Sequence, residues 1–213
     1  MIAISVYDAA GKETGKVQID EALLGGEVRP ELIKQAYVRY HANMRSDNNT
    51  TLSRGMVEGS TRKLYKQKGT GNARRGDKKA NILRGGGHGK AKVSHDWRQD
   101  MPRKQRQLAN RNALLAKAVD GEIKLIDGLK FEKPSTKQFQ GVIEALQVGK
   151  SCLFAMQDTR TDAGTSARNI DNISVTQIDR LNAFDLLNHR YLVVEKQAFQ
   201  AYIDRIAASR NAN

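Results

Sequence analysis

The chain has 213 residues, with 36 Lys/Arg against 23 Asp/Glu and a formal net charge of +13, enough for one domain of ordinary to generous size or two small ones. Its one cysteine excludes an internal disulfide, and nothing approaches the 18 consecutive apolar residues of a membrane span. The N-terminal MIAISVYDAAGKETGKV lacks the basic start and apolar core of a signal or transit peptide, so the chain reads as cytosolic.

In chain order, IAISVY alternates and is β-rich, turn residues follow in DAAGKETG, and KVQI predicts a second strand pairing as a hairpin. Pro30 suits a first helical position, and Leu32, Ile33, Ala36, Tyr37, Tyr40 and Met44 recur at three- and four-residue intervals. That pattern predicts a helix over 30–46. From Asp47 to about residue 99 neither a helical nor a strand period survives, and nine glycines fall between Gly55 and Gly89. The apolar side chains there are too few for a packed core, so no independent fold is expected. A structureless loop of about 45 residues is uncommon in a compact domain and is functional or disordered.

Order resumes with Asp100 and Pro102 as a cap and first turn. A helix through MPRKQRQLANRNALLAKAV follows, apolar at Leu108, Leu114, Leu115 and Ala118 and dense at its start in Arg103, Lys104, Arg106 and Arg111. Then come a strand IKLID, a helix opened by a capping-box-like Ser135, Thr136 and Gln138, and a strand SCLFAM. A short helical turn at SARN, a strand ISVTQI, a short helix LNAFDLLNH, a strand YLVVE and a final helix QAFQAYIDRIAAS complete the series. Strands alternating with helices predict an α/β fold, a mostly parallel sheet with helices on both faces, plus a long extended basic loop. The expected division is a discontinuous globular domain, 1–46 with 100–213, and a loop over 47–99.

The charge is uneven. Residues 45–111 hold 18 Lys/Arg and 5 Asp/Glu, a net of +13, which leaves 18 basic against 18 acidic elsewhere. A neutral body with one cationic segment calls for a polyanion, and nucleic acid fits best. Arg forks suit phosphate oxygens and Lys supplies mobile point charges. Gly69, Gly71, Gly76 and Gly85–Gly87 let the backbone lie close to a ligand, and Tyr65 and Trp97 can stack on bases. Each leg of the loop could reach roughly 65 Å at ~3.3 Å per residue, and a folded RNA mass accommodates such a finger better than a DNA rod.

Other chemistry is poorly supported. GGGHGKAK is one residue short of a P-loop and has Ala91 where Ser/Thr should hold magnesium; GTGNAR has Arg74 in place of a third dinucleotide-site glycine. His41, His88, His95 and His189 lack companions for a zinc site. Asp158, Asp162 and Asp171 read as a solvated loop, and Cys152 as a small buried residue. No catalytic residues, metal or cofactor is expected.

RKLYKQKGTGNARRG followed by LRGGGHGK, with the C-terminal SARNIDNISVTQIDRLNAFDLLNHRYLVVEKQAF, resembles a known family: the fourth protein of the large ribosomal subunit, in its bacterial form. The resemblance spans essentially the whole chain. It implies a structural constituent of that subunit, cytoplasmic in the ribosome, with an α/β domain on the subunit surface and an extension through rRNA toward the nascent-peptide exit tunnel. It implies partners in large-subunit rRNA, neighbouring ribosomal proteins, the nascent chain and, as in some members, its own operon's messenger RNA, with no membrane. With the charge pattern, it makes Arg62, Lys63, Tyr65, Lys66, Lys68, Gly69, Gly71, Arg74, Arg75, Arg84, Gly85, Gly86, Gly87, Lys90, Lys92, Arg103 and Lys104 the expected RNA-binding residues. Three departures stand out: Leu64 and Tyr65 replace a Pro-Trp pair, Leu83 replaces the Trp before RGGG, and HGKAKVSHDW replaces a Phe-Gly-Pro element. Two alternatives remain at this point: an RNA-processing or RNA-modifying enzyme with a basic substrate-binding loop, and a general DNA-binding accessory protein.

Overall fold

The computed structural model describes residues 1–129, 131 and 133–211. They divide into two units, Met1–His41 with Asp100–Asn213, and Ala42–Gln99.

The first unit opens with β1 (Ile2–Tyr7) and β2 (Glu13–Ile19), paired antiparallel from Ile2↔Ile19 to Tyr7↔Glu13. The turn closes because the Asp8 carboxylate accepts from the Ala10 and Lys12 amides while Gly11 takes φ +79°. β2 begins three residues before the expected KVQI, since Glu13–Gly15 also ladder onto β1. A 3-10 turn, Glu21–Leu24, follows; the sequence reading did not foresee it, although Asp20 caps it and Gly25, at φ 110°, ends it. Next come α1 (Pro30–Asn43), α2 (Arg103–Val119), β3 (Ile123–Ile126), α3 (Thr136–Ala145) and β4 (Cys152–Met156). Then α4 (Asp162–Ala167), β5 (Ile173–Gln177), a 3-10 turn at Ile178–Arg180, α5 (Ala183–Asn188), β6 (Tyr191–Glu195) and α6 (Lys196–Asn211) complete it.

The sheet order is β2-β1-β3-β6-β4-β5, parallel at every pairing except the first. The strand period of two divides the core in two. Leu153, Ala155, Leu192 and Val194 face one layer with Ile33 of α1, Leu114 and Leu115 of α2, Leu186 of α5 and Phe199 of α6. Cys152, Phe154, Met156 and Val193 face the other with Phe139 and Ile143 of α3 and Ala163 of α4. β4 is buried along its whole length, which explains its unbroken apolar run. Each of its large side chains contributes roughly 1.5–3 kcal/mol by leaving water.

Buried polar groups are tied in. Asn112 of α2 donates to the Leu24 carbonyl at 3.0 Å and accepts from the Arg29 amide at 3.2 Å, fixing the approach to α1. Lys117 meets Glu122 at 2.5 Å and donates to the Arg190 carbonyl at 2.8 Å. At α3 only half of the expected capping box forms. Ser135 Oγ accepts from the Gln138 amide, but the Ser135 amide donates to Ser166 Oγ of α4 at 2.8 Å. The α2 cap also differs from expectation, because Pro102 holds the N-cap position without a side-chain bond.

Residues 44–99 contain no helix or strand among their described residues. No membrane-spanning helix occurs among the described residues of the chain.

Candidate nucleic-acid interface

The second unit holds together without a sheet. Its two legs face each other in a nearly constant antiparallel register, made mostly by side chains. Asn43 accepts from the Gln99 amide at 2.7 Å and donates to the Gln99 carbonyl at 3.2 Å. α1 ends at Asn43, short of the expected residue 46, where the Arg45 amide turns back to the Ala42 carbonyl at 3.1 Å in place of a helical bond. Two residues in on each side, the Arg45 guanidinium sits 3.6 Å from the centre of the Trp97 ring, which meets His95 edge-on at 4.6 Å. Two further in, the Asp47 carboxylate accepts from the Asn49 and His95 amides, and those donors hold it below its ordinary pKa. Thr51 then donates its amide to the Lys92 carbonyl at 3.0 Å and accepts the Lys92 amide on its hydroxyl at 2.7 Å; the His88 amide reaches Leu52 O at 2.8 Å. The sequence gives no strand period here because the links alternate side-chain and backbone groups and need no alternation of apolar residues.

Beyond the legs lie two smaller loops. In the first, the Leu64 amide donates to Gly76 O, Tyr65 Oη to Ala73 O, and Lys63 Nζ to Arg75 O and Gln67. The chain turns between them through Gly69 and Gly71, at φ +80° and +69°, a region L side chains avoid. In the second, the Gly87 amide donates to Lys79 O, and Gly85 has φ +78°. Gly86 and Gly87 do not have positive φ; they are packed. A Cβ on Gly86 would run into the Ala80 carbonyl, and one on Gly87 into the Arg54 amide. The RGGG element thus has an intramolecular reason for its glycines.

Residues 42–99 carry 14 Lys/Arg against 4 Asp/Glu, +10 of the chain's +13. Arg62, Lys63, Lys66, Lys68, Arg74, Arg84, Lys90 and Lys92 are all exposed, and none forms an ion pair with a described residue. In the other unit Lys117, Arg190, Lys196 and Arg205 are paired with carboxylates. Arg62, Lys63, Tyr65 and Lys66 line one open cavity of about 630 Å³ with Lys78, another cation of the basic loop. Arg75 is half-buried, with one terminal guanidinium nitrogen buried and unbonded among the described residues. Arg103 and Lys104 lie on the exposed first turn of α2, in the other unit. No acidic residue accompanies them there, so they oppose the positive end of the helix dipole.

The groups that could suggest an enzyme are occupied otherwise. Cys152 is buried in β4, where desolvation pushes its thiol up to about 12. The His189 ring bonds the Asp185 carbonyl and Ser174 hydroxyl. Asp158 accepts from the Arg160 amide. Among the described residues no three His, Cys, Asp or Glu gather as metal donors.

Residues 17–205 match the model of the ribosomal protein L4/L1 family. The chain belongs to the ribosomal protein L4/L1 family. A Dehalococcoides mccartyi protein named large ribosomal subunit protein uL4 is 38% identical over 195 residues, covering 92% of this chain and 93% of that one. The Rhodopirellula baltica protein of that name is 33% identical over 100% of this chain and 96% of its own, and the Moorella thermoacetica one is 34% identical over 93% and 96%. Membership of this ribosomal family makes the chain a structural protein and not an enzyme.

Proposed function

We propose that this chain is a structural constituent of the large ribosomal subunit that binds large-subunit rRNA through residues 42–99. One observation carries the reading: a unit without helix or strand presents a row of exposed cations that no carboxylate of its own neutralises. Cations left unpaired at this density repel one another and gain most from phosphate. Arg62, Lys63, Lys66, Lys68, Arg74, Arg84, Lys90 and Lys92 neutralise RNA phosphates in this reading. Gly69, Gly71 and Gly85 shape the turns that present them, and Gly86 and Gly87 keep those turns closed. Tyr65, with its hydroxyl tied to Ala73, offers a ring face to a base. Arg75 brings an unsatisfied nitrogen, and Arg103 and Lys104 add contacts from α2, where an incoming phosphate also meets the helix dipole.

The subunit named for the relatives places the protein in the cytoplasmic ribosome, beside neighbouring ribosomal proteins. The family resemblance extends the reading to an arm reaching toward the exit tunnel and the nascent chain, and to binding of the protein's own operon messenger. The direct experiment is sedimentation of tagged protein from cell extract. The expected result is co-migration with large subunits through a high-salt wash, lost when Arg62, Lys63, Lys66 and Lys68 are together changed to Gln. Tagged protein found only in the ribosome-free fraction overturns the proposal.

A further inference from the structure

The sheet unit holds an apolar crevice that its own side chains leave open. β3 and β4 send the chain to α3 and α4 on one face of the sheet, while β6, between them, sends it to α6 on the other. The connections part at the carboxyl ends of these strands, where α/β folds leave a crevice. A cavity of about 500 Å³ opens there. The buried Ile126, Phe154 and Met156 line it from the strand ends, and the half-buried Leu129 and Phe131 from the loop after β3. Phe131, Phe139 and Phe154 pack in series, with ring centres 6.3 and 5.1 Å apart, so the core holds this lining in place.

The charged lining consists of two carboxylates, Asp162 and Glu195, and one guanidinium, Arg160. None of the three forms an ion pair with a described residue. Of their charged neighbours, Lys196 pairs with Asp127, and Asp158 accepts from the Arg160 amide. The remaining polar lining residue, Thr161, uses its hydroxyl on the Asp158 carbonyl and the Gly164 amide.

We propose that this crevice docks a basic segment of another protein, which buries a large apolar side chain against Phe131 and Met156 and sets a Lys or Arg against Glu195 and Asp162. Charge selects the occupant. Two carboxylates to one cation favour a positive partner. They repel the phosphodiesters of RNA, and no neutral side-chain donor in the lining is free for a phosphate. A neutral apolar molecule would leave Glu195, half-buried, without a counter-charge. An apolar side chain in a preformed pocket, with charges at the rim, is the arrangement that anchors a peptide. The site lies in the sheet unit and does not depend on the RNA reading of residues 42–99.

The methionines make a site-specific test. Met156 lines the crevice, whereas Met1, Met44, Met56 and Met101 do not. Full-length protein carrying carbon-13 methyl methionine is titrated by NMR, with Met156→Leu assigning the signal. The probes are the peptide KRFLKR, its analogues KRAAKR and EEFLEE, sodium octanoate and a short oligouridylate. Saturable movement of the Met156 methyl by KRFLKR, absent with KRAAKR and weaker with EEFLEE, supports the site. An exposed ion pair is worth a factor of about 1.4 to 5, so Asp162→Asn with Glu195→Gln should weaken KRFLKR binding roughly two- to thirtyfold. Equal effects of KRFLKR and either analogue overturn the proposal, because the anchor or the charge is then not read. Movement by octanoate but not by KRFLKR overturns it in favour of a small-amphiphile site, and movement by oligouridylate in favour of RNA. A Met156 signal that no probe moves overturns the site itself. The titration of unmutated protein decides the question even if the double variant folds poorly, and none of these failures touches the proposed function, which is read from sedimentation.

Discussion

At the scale of single residues, glycines of the one basic loop have different jobs. Gly76 has open space around its would-be Cβ and no positive φ, whereas Gly87 abuts the Arg54 backbone. Gly87→Ala therefore forces the two stretches apart, at a cost typical of overpacking, roughly 1–3 kcal/mol. Amide exchange near residues 52–57 and 79–88 should speed roughly ten- to hundredfold, while Gly76→Ala leaves it unchanged. Equal effects from both would show that conformational freedom, not close packing, sets the requirement. Cys152 gives a second residue-scale expectation. With its thiol fully buried and its pKa pushed up to about 12, the folded protein should resist an aromatic disulfide reagent at pH 8 and react within seconds in denaturant. Rapid labelling of the folded chain would mean that β4 opens.

At the scale of elements, the link between α3 and α4 is a testable joint. Ser166 is buried; its hydroxyl donates to Asp162 O at 2.6 Å and accepts from the Ser135 amide at 2.8 Å. Ser166→Ala strands that part-buried amide and should cost about 1–3 kcal/mol. Ser135→Ala loses only a long cap bond, at 3.4 Å, and should cost about 0.5–1 kcal/mol. Urea unfolding midpoints should fall in that order with slopes unchanged. Elements long enough to carry a pattern were legible in the sequence: CLFAM and YLVVE became β4 and β6, and the helix expected after Ser135 became α3, which buries Phe139, Val142 and Ile143. The 3-10 turn at Glu21–Leu24 was not, because four residues leave no period to read. The register of the two legs was also hidden. Asn43 reads as a helical residue, and Asp47 and Thr51 as ordinary loop residues, until Gln99, His95 and Lys92 stand opposite them.

For the molecule as a whole, the two units differ in what stabilises them. One buries apolar layers on both sides of a sheet. The other relies on single hydrogen bonds between exposed legs and one Arg45–Trp97 stack, each worth about 1 kcal/mol against water. Its 14 cations against 4 carboxylates oppose even that. The free protein should therefore be cut by trypsin first between residues 45 and 98, leaving larger fragments of the sheet unit. Saturating large-subunit rRNA should suppress those cuts, since phosphate removes the repulsion and ordered RNA supplies the missing contacts. If six to ten phosphates are engaged, affinity must fall by about 10³- to 10⁵-fold between 50 and 200 mM salt, in step with the loss of protection. Protection that persists while affinity falls would place the ordering of this unit in its own hydrogen bonds. A flat affinity would show its cations to be solvated and idle.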